Sequence, residues 1–326
     1  MISGGRAVTG MWITFSRDGM APVPDAGRLD SRLRKADIGR IVKQRFTFES
    51  NRVRGTQAVA RALRIVRAFT DERPEWSLAD LSRELSISKP SAFRLLSALE
   101  EGRLVSRVGA AAAYRLGPGA IELGARAQRT NSVVSAARPE LEALTRATGE
   151  TSSVEILAGV ETLILDEVQG GHLIGTSPSV GTRWPAHAAS TGKVLLAAAY
   201  AEDPEFVRAF IRAAGGRLLR LTSRTVSSAA KLAAQLAEVT RQGYSTAIDE
   251  LESGYVAIGA PVRRYDGRII AAISVGGPTI RFPAARIRTL AVPVREAADR
   301  ISQRLGWLPG PSARRAPFAR LSPPNP

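Results

Sequence analysis

The stretch from residue 56 to residue 116 constrains the fold most, because three short helical patterns follow one another there and two short strand patterns come after them. The first pattern starts at Thr56 and predicts an amphipathic helix that buries Val59, Leu63, Val66 and Phe69. The second opens on the N-cap residue Ser77 and predicts a short helix that buries Leu78, Leu81 and Leu85. The third begins near Ser88, ends around Gly102 and turns inward Ala92, Leu95, Leu96 and Leu99.

After these helices, residues 103–107 and 114–116 predict the strands of a β-hairpin wing. Two short helices joined by a tight turn allow the second helix to lie in the major groove of DNA, which admits one helix. The side chains expected to reach bases and phosphates from it are Ser88, Lys89, Ser91 and Arg94. On the wing, Arg107 and Arg115 either reach phosphate or the minor groove or are ordinary surface arginines.

The charge of the chain agrees with a polyanionic partner. The formal charge is +16, with 46 Lys and Arg against 30 Asp and Glu, and such cations bind DNA by neutralising phosphates and releasing counterions. Residues 1–55 hold 11 basic and 5 acidic side chains, whereas residues 131–307 hold 20 and 17. The excess therefore lies outside the C-terminal part. A nonspecific DNA-coating protein driven by its basic ends remains an alternative.

Composition excludes several classes of site. The chain has no cysteine and two histidines, which excludes disulfides, thiolate and histidine-rich metal sites and cysteine nucleophiles. No segment approaches the roughly 18 uninterrupted apolar residues of a membrane-spanning helix, and the N-terminus lacks a secretory signal. We therefore expect a cytoplasmic protein with no membrane contact, no metal and no cofactor.

Changes in composition and periodicity divide the chain into five parts. Residues 1–55 are a basic, poorly ordered extension or precede a later true start. The winged helix-turn-helix domain covers residues 56–117 and is followed by a linker helix over residues 118–130. A second domain covers residues 131–307, and residues 308–326 form a disordered tail. In the second domain, strands over 152–157 and 162–168 and over 255–263 and 268–275 form hairpins, with helices between them. This order predicts an α+β fold with an antiparallel sheet.

Several motifs resemble those of one family. The run Leu78-Ala-Asp-Leu-Ser followed by Ser88-Lys-Pro-Ser-Ala-Phe-Arg, with Tyr114-Arg-Leu-Gly after the wing, resembles the DNA-binding domain of the IclR (isocitrate lyase regulator) family of transcriptional regulators. His187-Ala-Ala-Ser-Thr-Gly-Lys, Gly254-Tyr-Val-Ala-Ile-Gly and Ala271-Ala-Ile-Ser-Val-Gly-Gly-Pro resemble the effector-binding signature of that family. The resemblance covers roughly residues 56–307.

The resemblance implies a GAF-like effector domain that binds small organic molecules, often carboxylic or aromatic acids, in a repressor or an activator. It also implies a homodimer or a dimer of dimers on palindromic operators in double-stranded DNA. It implicates in effector binding Leu173, Thr176, Trp184, Ser190, Thr191, Asp249, Ala257 and Ser274. The chain departs from the family pattern at Pro90 and at Ala110 to Ala113, which weakens the expected contribution of those positions to DNA contact.

The predicted pocket can also be interpreted physically. Ser190 and Thr191 precede the helix of Gly192 and Lys193, so hydroxyls, backbone amides and the helix dipole would hold a ligand carboxylate. Trp184 and Ala257 would supply an apolar wall, although Trp184 is alternatively a core or dimer-contact residue and Ser190 a plain helix cap. An enzyme is a further alternative, with an acid and a base drawn from Asp166, Asp249, Glu250 and Glu252. The sequence supplies no catalytic motif in its support.

Overall fold

The computed structural model describes residues 56–70, 73–109, 113–172, 180–203 and 205–308. The predictions made for residues 1–55, for the tail after residue 308, for Leu173 and Thr176, and for Ala110 to Ala112 of the wing lie outside these described residues. Within them, no helix is long and apolar enough to cross a membrane.

The N-terminal part, called here the winged-helix region (residues 56–116), contains the predicted elements in the predicted order. Its helices are α1 (Gln57–Ala68), α2 (Leu78–Glu84) and α3 (Lys89–Glu101), and its strands are β1 (Val105–Val108) and β2 (Ala113–Leu116). Ser77 caps α2 by accepting a hydrogen bond from the Asp80 amide, as its position before the apolar run predicts. The strands pair antiparallel with Val105 opposite Leu116.

The core of the winged-helix region confirms the predicted inward faces of α2 and α3 but corrects that of α1. Leu81 and Leu96 are completely buried. On α1, however, the buried side chain is Ile65, followed by Phe69 just after the helix, whereas Val59 and Leu63 are 60% and 48% exposed. The helix is turned so that the Ile65 stripe packs on its neighbours, which leaves two of the four side chains predicted to be buried on the surface.

The linker helix α4 (Pro118–Arg129) is fixed to the winged-helix region at its start. The amide of Gly117 donates to the Leu104 carbonyl at 2.9 Å and the amide of Gly119 to the Arg103 carbonyl at 2.8 Å. A Cβ at Gly117 would lie 2.4 Å from the Arg103 oxygen, so a larger residue would break this approach. α4 buries none of its own side chains and is followed by helix α5 (Ser132–Thr148), which Asn131 caps.

The C-terminal part is built on one antiparallel sheet of six strands in the order β5-β4-β3-β8-β7-β6. The strands are β3 (Thr151–Ala158), β4 (Glu161–Val168), β5 (Arg183–Pro185), β6 (Ser245–Ile248), β7 (Tyr255–Arg263) and β8 (Ile269–Pro278). The two hairpins predicted from the sequence form its centre and confirm the α+β class. The edge strands β5 and β6 were not predicted, because three or four residues carry too little alternation to be recognised.

Helices cover both faces of this sheet. On one face, α5 and α9 (Ala284–Arg304) pack against Val256, Ile258 and Ile273. On the other face lie α6 (Ser190–Glu202), α7 (Phe206–Ala213) and α8 (Ala229–Gln242), whose apolar cluster includes Ala272 of β8. We call this second side the inner face. It carries the polar side chains described below.

Candidate functional site

The predicted DNA-contact residues lie at the start of α3 and on its outer side. Lys89 and Arg94 are exposed, while Ala92, Leu96 and Leu99 of the same helix are buried. Ser88 is the N-cap residue, and its hydroxyl donates to the Ser91 hydroxyl at 3.0 Å. The core therefore holds the helix rigidly, and two cations and two hydroxyls remain on or near its free side. This is the arrangement that a major-groove helix requires.

The wing is tied to the helices by its own contacts. The backbone of Tyr114 exchanges two hydrogen bonds with that of Trp76, at 2.9 and 2.7 Å, and Trp76 donates from its indole to the Ala68 carbonyl. Arg107 forms an ion pair with Glu100 at 3.2 Å and lies over the Tyr114 ring. Arg115 is exposed. The structure thus places both predicted wing arginines on the surface, with Arg107 engaged by α3.

On the inner face, one row of small and polar residues crosses four strands. Glu167 of β4 lies opposite Ser153 of β3, Ser153 opposite Ser274 of β8, and Ser274 opposite Gly259 of β7. Side chains at paired positions share a face of the sheet. A Cβ at Gly259 would lie 3.0 Å from the backbone of Ser190. Glycine there allows the start of α6 to sit directly over the row.

Glu155 lies at the centre of a hydrogen-bond chain on this face. The Thr191 hydroxyl donates to its Oε2 at 2.6 Å and the Ser153 hydroxyl to its Oε1 at 3.0 Å, while the hydroxyls of Ser153 and Ser274 lie 3.0 Å apart. Burial raises the pKa of Glu155, and the hydroxyls of Thr162, Thr191 and Ser153 act in the opposite direction. Thr191, predicted to hold a ligand carboxylate, thus donates to a carboxyl group of the chain itself.

Two further titratable groups share the inner face. The pKa of Glu167 is raised to about 7, mainly by burial and also by the nearby acids Glu155 and Asp166, against the effect of the Gln169 amide. Burial also raises the pKa of the Tyr255 phenol, with smaller contributions from Glu155, Glu167 and Glu252. Tyr255 lies over Gly276, where a Cβ would be 2.3 Å from the phenol oxygen. The phenol stays protonated and can donate a hydrogen bond.

The other predicted effector-binding residues lie partly on the inner face and partly away from it. Trp184 of β5 is half-buried opposite Thr162, Ala257 of β7 pairs with Gly276, and Ser274 belongs to the row above, so these three lie on the inner face. Ser190 is buried and its carbonyl accepts a hydrogen bond from Ser245 at 2.5 Å. Asp249 instead closes a turn: it has a positive φ of 55°, and its carboxylate accepts from the Gly254 amide at 2.7 Å.

The acids considered for catalysis are engaged elsewhere. Asp166 accepts a hydrogen bond from Arg138 at 3.0 Å, and Glu250 forms a buried ion pair with Lys193 of α6. Burial lowers the pKa of Lys193, and Glu250 opposes that effect. Asp249 closes the turn before β7, and Glu252 is exposed. The structure does not bring these four acids together as an acid and base pair.

The sequence prediction missed Glu155, Glu167, Ser153 and Tyr255. The available signal was the glutamate between the apolar residues Val154 and Ile156 of β3, with Ser153 two residues before it. The pairing of β3 with β4 shifts between Val154, which lies opposite Asp166, and Glu155, which lies opposite Ile164, so Ile164 and Asp166 of β4 no longer share a face although they are two residues apart. A bulge of this kind is not visible in the sequence.

Comparisons with known proteins agree with both regions. Residues 58–109 match the IclR helix-turn-helix domain, and residues 125–303 match the bacterial transcriptional regulator IclR C-terminal domain. The chain is 29% identical over 251 residues to the HTH-type transcriptional regulator XynR of Escherichia coli, covering 77% of this chain and 98% of the relative.

Solved structures give the same result. A transcriptional regulator from Silicibacter sp. TM1040 matches with 28% identity and a TM-score of 0.68 over 78% of this chain and 98% of its own. An IclR homologue from Microbacterium hydrocarbonoxydans, solved in complex with 4-hydroxybenzoate, matches with 26% identity and a TM-score of 0.65 over 76% of this chain and 99% of its own. The chain therefore belongs to the IclR family of bacterial transcriptional regulators.

Proposed function

We propose that this protein is a ligand-responsive regulator in which a small organic molecule on the inner face of the sheet changes how two winged-helix regions are presented to a palindromic operator. The observation that carries the proposal is the continuity of the framework: α4 is hydrogen-bonded to the winged-helix region at Gly117 and Gly119, and α5 follows after Thr130 and Asn131. A shift of α5 would therefore be passed to α4 across the two residues between them, and from α4 to the winged-helix region that carries the DNA-contact helix.

Specific DNA recognition is assigned to α3. Arg94 and Lys89 are cations on a helix whose opposite side is buried, and bidentate arginine contacts to guanine discriminate bases. Ser88 and Ser91 supply hydroxyls for phosphate or base contact. Arg107 and Arg115 on the wing are assigned to the DNA backbone.

A second copy of this chain is the partner that we assign to the apolar side chains exposed on α1 and α4. Val59 and Leu63 are exposed on α1, and Ile121 and Leu123 on α4 are 73% and 55% exposed. Large apolar side chains exposed on surface helices are typical of association surfaces, and a two-fold operator needs a two-fold protein. We propose a homodimer, or a dimer of such dimers.

The proposed ligand is a small organic molecule, and the sequence predicts an aromatic or carboxylic acid. Trp184 beside Thr162 supports an aromatic ring, as does the 4-hydroxybenzoate bound by the Microbacterium hydrocarbonoxydans relative. The proposal covers repression and activation alike, since both need only that the ligand binds better to one arrangement than the other. A DNA-binding regulator of this kind acts in the cytoplasm.

Capture of fragmented genomic DNA by the purified full-length chain tests the proposal. We expect the retained fragments to share one palindromic motif and Arg94→Ala to lose that enrichment, while Arg146→Ala, an exposed arginine on α5, keeps it. Retention of unrelated fragments that is steep in salt and unchanged by Arg94→Ala would establish the alternative, a nonspecific basic DNA binder.

Coupling has its own test. A ligand found by calorimetry must bind with different affinity in the presence and absence of operator DNA, because coupling between two sites is reciprocal. Equal affinities would show that the ligand does not regulate DNA binding.

A further inference from the structure

The inner face holds one buried acid, Glu155, whose partners differ from those of the other buried acids. Six acids are buried among the described residues, namely Glu140, Glu150, Glu155, Glu161, Asp166 and Glu250. Five of them form ion pairs with arginine or lysine, for example Glu150 with Arg281 and Glu161 with Arg183. Glu155 forms none with a described residue and is held by hydroxyls alone. Buried carboxyl groups are ordinarily paired with a cation, so Glu155 stands out.

The surroundings of Glu155 add acids rather than cations. Its pKa is lowered by the hydroxyls of Thr162, Thr191 and Ser153. The pKa of Glu167 is raised by Glu155 and Asp166 and lowered by Gln169, and that of Tyr255 in β7 is raised by Glu155, Glu167 and Glu252. The described groups that shift the pKa values of these three side chains are acids, an amide and hydroxyls. Arg138 of α5 pairs with Asp166 and Glu142 and contacts Glu167 only through the backbone carbonyl of that residue. The face is rich in hydrogen-bond acceptors.

One buried oxygen atom there has unused hydrogen-bonding capacity. The Oε2 atom of Glu167 has no hydrogen-bond partner among the described residues, whereas the hydroxyl of the completely buried Thr162 already acts on Glu155. Native proteins leave few buried polar groups without a partner. An ionised carboxylate oxygen can be satisfied only by a donor, so above the Glu167 pKa of about 7 its missing partner is a donor group.

We propose that the effector is recognised on the inner face through a hydroxyl or amino group that donates hydrogen bonds to Glu155 and Glu167, and not through a carboxylate. This inference rests on the proposed function, because it names the chemistry of the ligand for the same site. An aromatic acid that also carries a hydroxyl group satisfies it, with the hydroxyl toward the sheet. A carboxylate placed there would meet two acids, while Lys193 of α6 and Arg138 of α5 are already paired with acids, which is unfavourable in a site removed from water.

Three probes that share one aromatic ring separate the possibilities: benzylamine offers an ammonium group, benzyl alcohol a hydroxyl group and benzoate a carboxylate. Calorimetry on the full-length protein without DNA, at about pH 8, keeps Glu167 above its pKa of about 7 and able only to accept. We expect benzylamine or benzyl alcohol to bind roughly tenfold or more tightly than benzoate, the size of one charge-assisted hydrogen bond. The tighter binder of the two shows whether the donor is an ammonium or a hydroxyl group.

Glu167→Gln and Glu155→Gln test the assignment, with Glu142→Gln on α5, where the side chain is 42% exposed, as the control for loss of one charge. In either inner-face variant the preference over benzoate should fall by roughly tenfold, because an amide carries no charge and can itself donate. Glu142→Gln should leave the order unchanged. Thermal unfolding of each variant verifies that it is folded, and Glu167→Gln, at the half-buried position, is the variant expected to disturb folding least.

The inference is overturned if benzoate binds most tightly, if the order survives both inner-face variants, or if neither donor probe binds at millimolar concentration. These outcomes are separate from those of the DNA experiments. A protein that captures a palindromic motif but prefers benzoate contradicts this inference alone. A protein that binds the amine but no specific DNA contradicts the proposed function alone.

Discussion

The winged-helix region and the inner face of the sheet use charge in opposite ways. In the winged-helix region, Lys89, Arg94 and Arg115 are exposed cations on a well-packed frame, where water screens each charge and any polyanion is attracted. On the inner face, Glu155 is buried and Glu167 half-buried, and burial raises both pKa values. An exposed charge provides attraction, whereas a buried charge provides selection, because it must be matched by a particular partner.

Breaking the buried ion pair beside the inner face should give the largest effect. Lys193→Met leaves Glu250 buried without its cation, which should lower the free energy of unfolding by about 3–5 kcal/mol. Chemical denaturation followed by circular dichroism measures this. The double variant Lys193→Met/Glu250→Leu should recover much of the loss, and Lys231→Met, at an exposed lysine on α8, should cost little. Equal small losses for both lysines would contradict the contrast between buried and exposed charge.

Disrupting the proposed contact between two copies should give the next largest effect. Ile121→Glu places a charge among the exposed apolar side chains of α4 and should convert the dimer to a monomer in sedimentation velocity. Affinity for a palindromic operator should fall roughly 100-fold, because the two heads then bind separately. Ile280→Glu, at a 90% exposed apolar residue outside α1 and α4, is the control. A dimer that survives Ile121→Glu would place the contact elsewhere.

The raised pKa of Glu167 predicts a moderate dependence of stability on pH. The folded state holds a proton up to about pH 7, whereas the carboxyl group of the unfolded chain loses it near its ordinary value of 4.5. The folded state binds more protons in that window, so the free energy of unfolding should fall as the pH rises from about 5 to about 8. Glu167→Gln should flatten this slope in urea titrations. A slope of the opposite sign would show that Glu167 is not withdrawn from water.

The smallest effect is expected at the wing. Arg115→Ala should weaken operator and nonspecific DNA alike and lower the slope of log affinity against log salt by about 1, as the loss of one phosphate contact does. Fluorescence anisotropy over a range of salt concentrations measures this. Arg146→Ala on α5 should leave the slope unchanged. A loss of specificity without a change of slope would make Arg115 a base-reading residue.

The same contrast explains what the sequence could predict. Leu81 and Leu96 repeat at helical spacing, so their burial and the exposure of Arg94 follow from periodicity alone. Val59 and Leu63 fit the same periodicity but lie on the surface, because periodicity does not show which apolar stripe of a helix its neighbours cover. Glu155 and Glu167 depend on strand register and on the bulge in β3 and β4, which long-range pairing determines.

A nuclease footprint of the full-length protein on the intergenic DNA beside its own gene tests the central claim most directly, with Arg94→Ala in parallel. The account predicts a discrete, symmetric protected site that the variant loses at protein concentrations where the wild type protects it fully. Diffuse protection that is the same for both proteins would contradict it, because the exposed charge of the winged-helix region would then attract DNA without reading it.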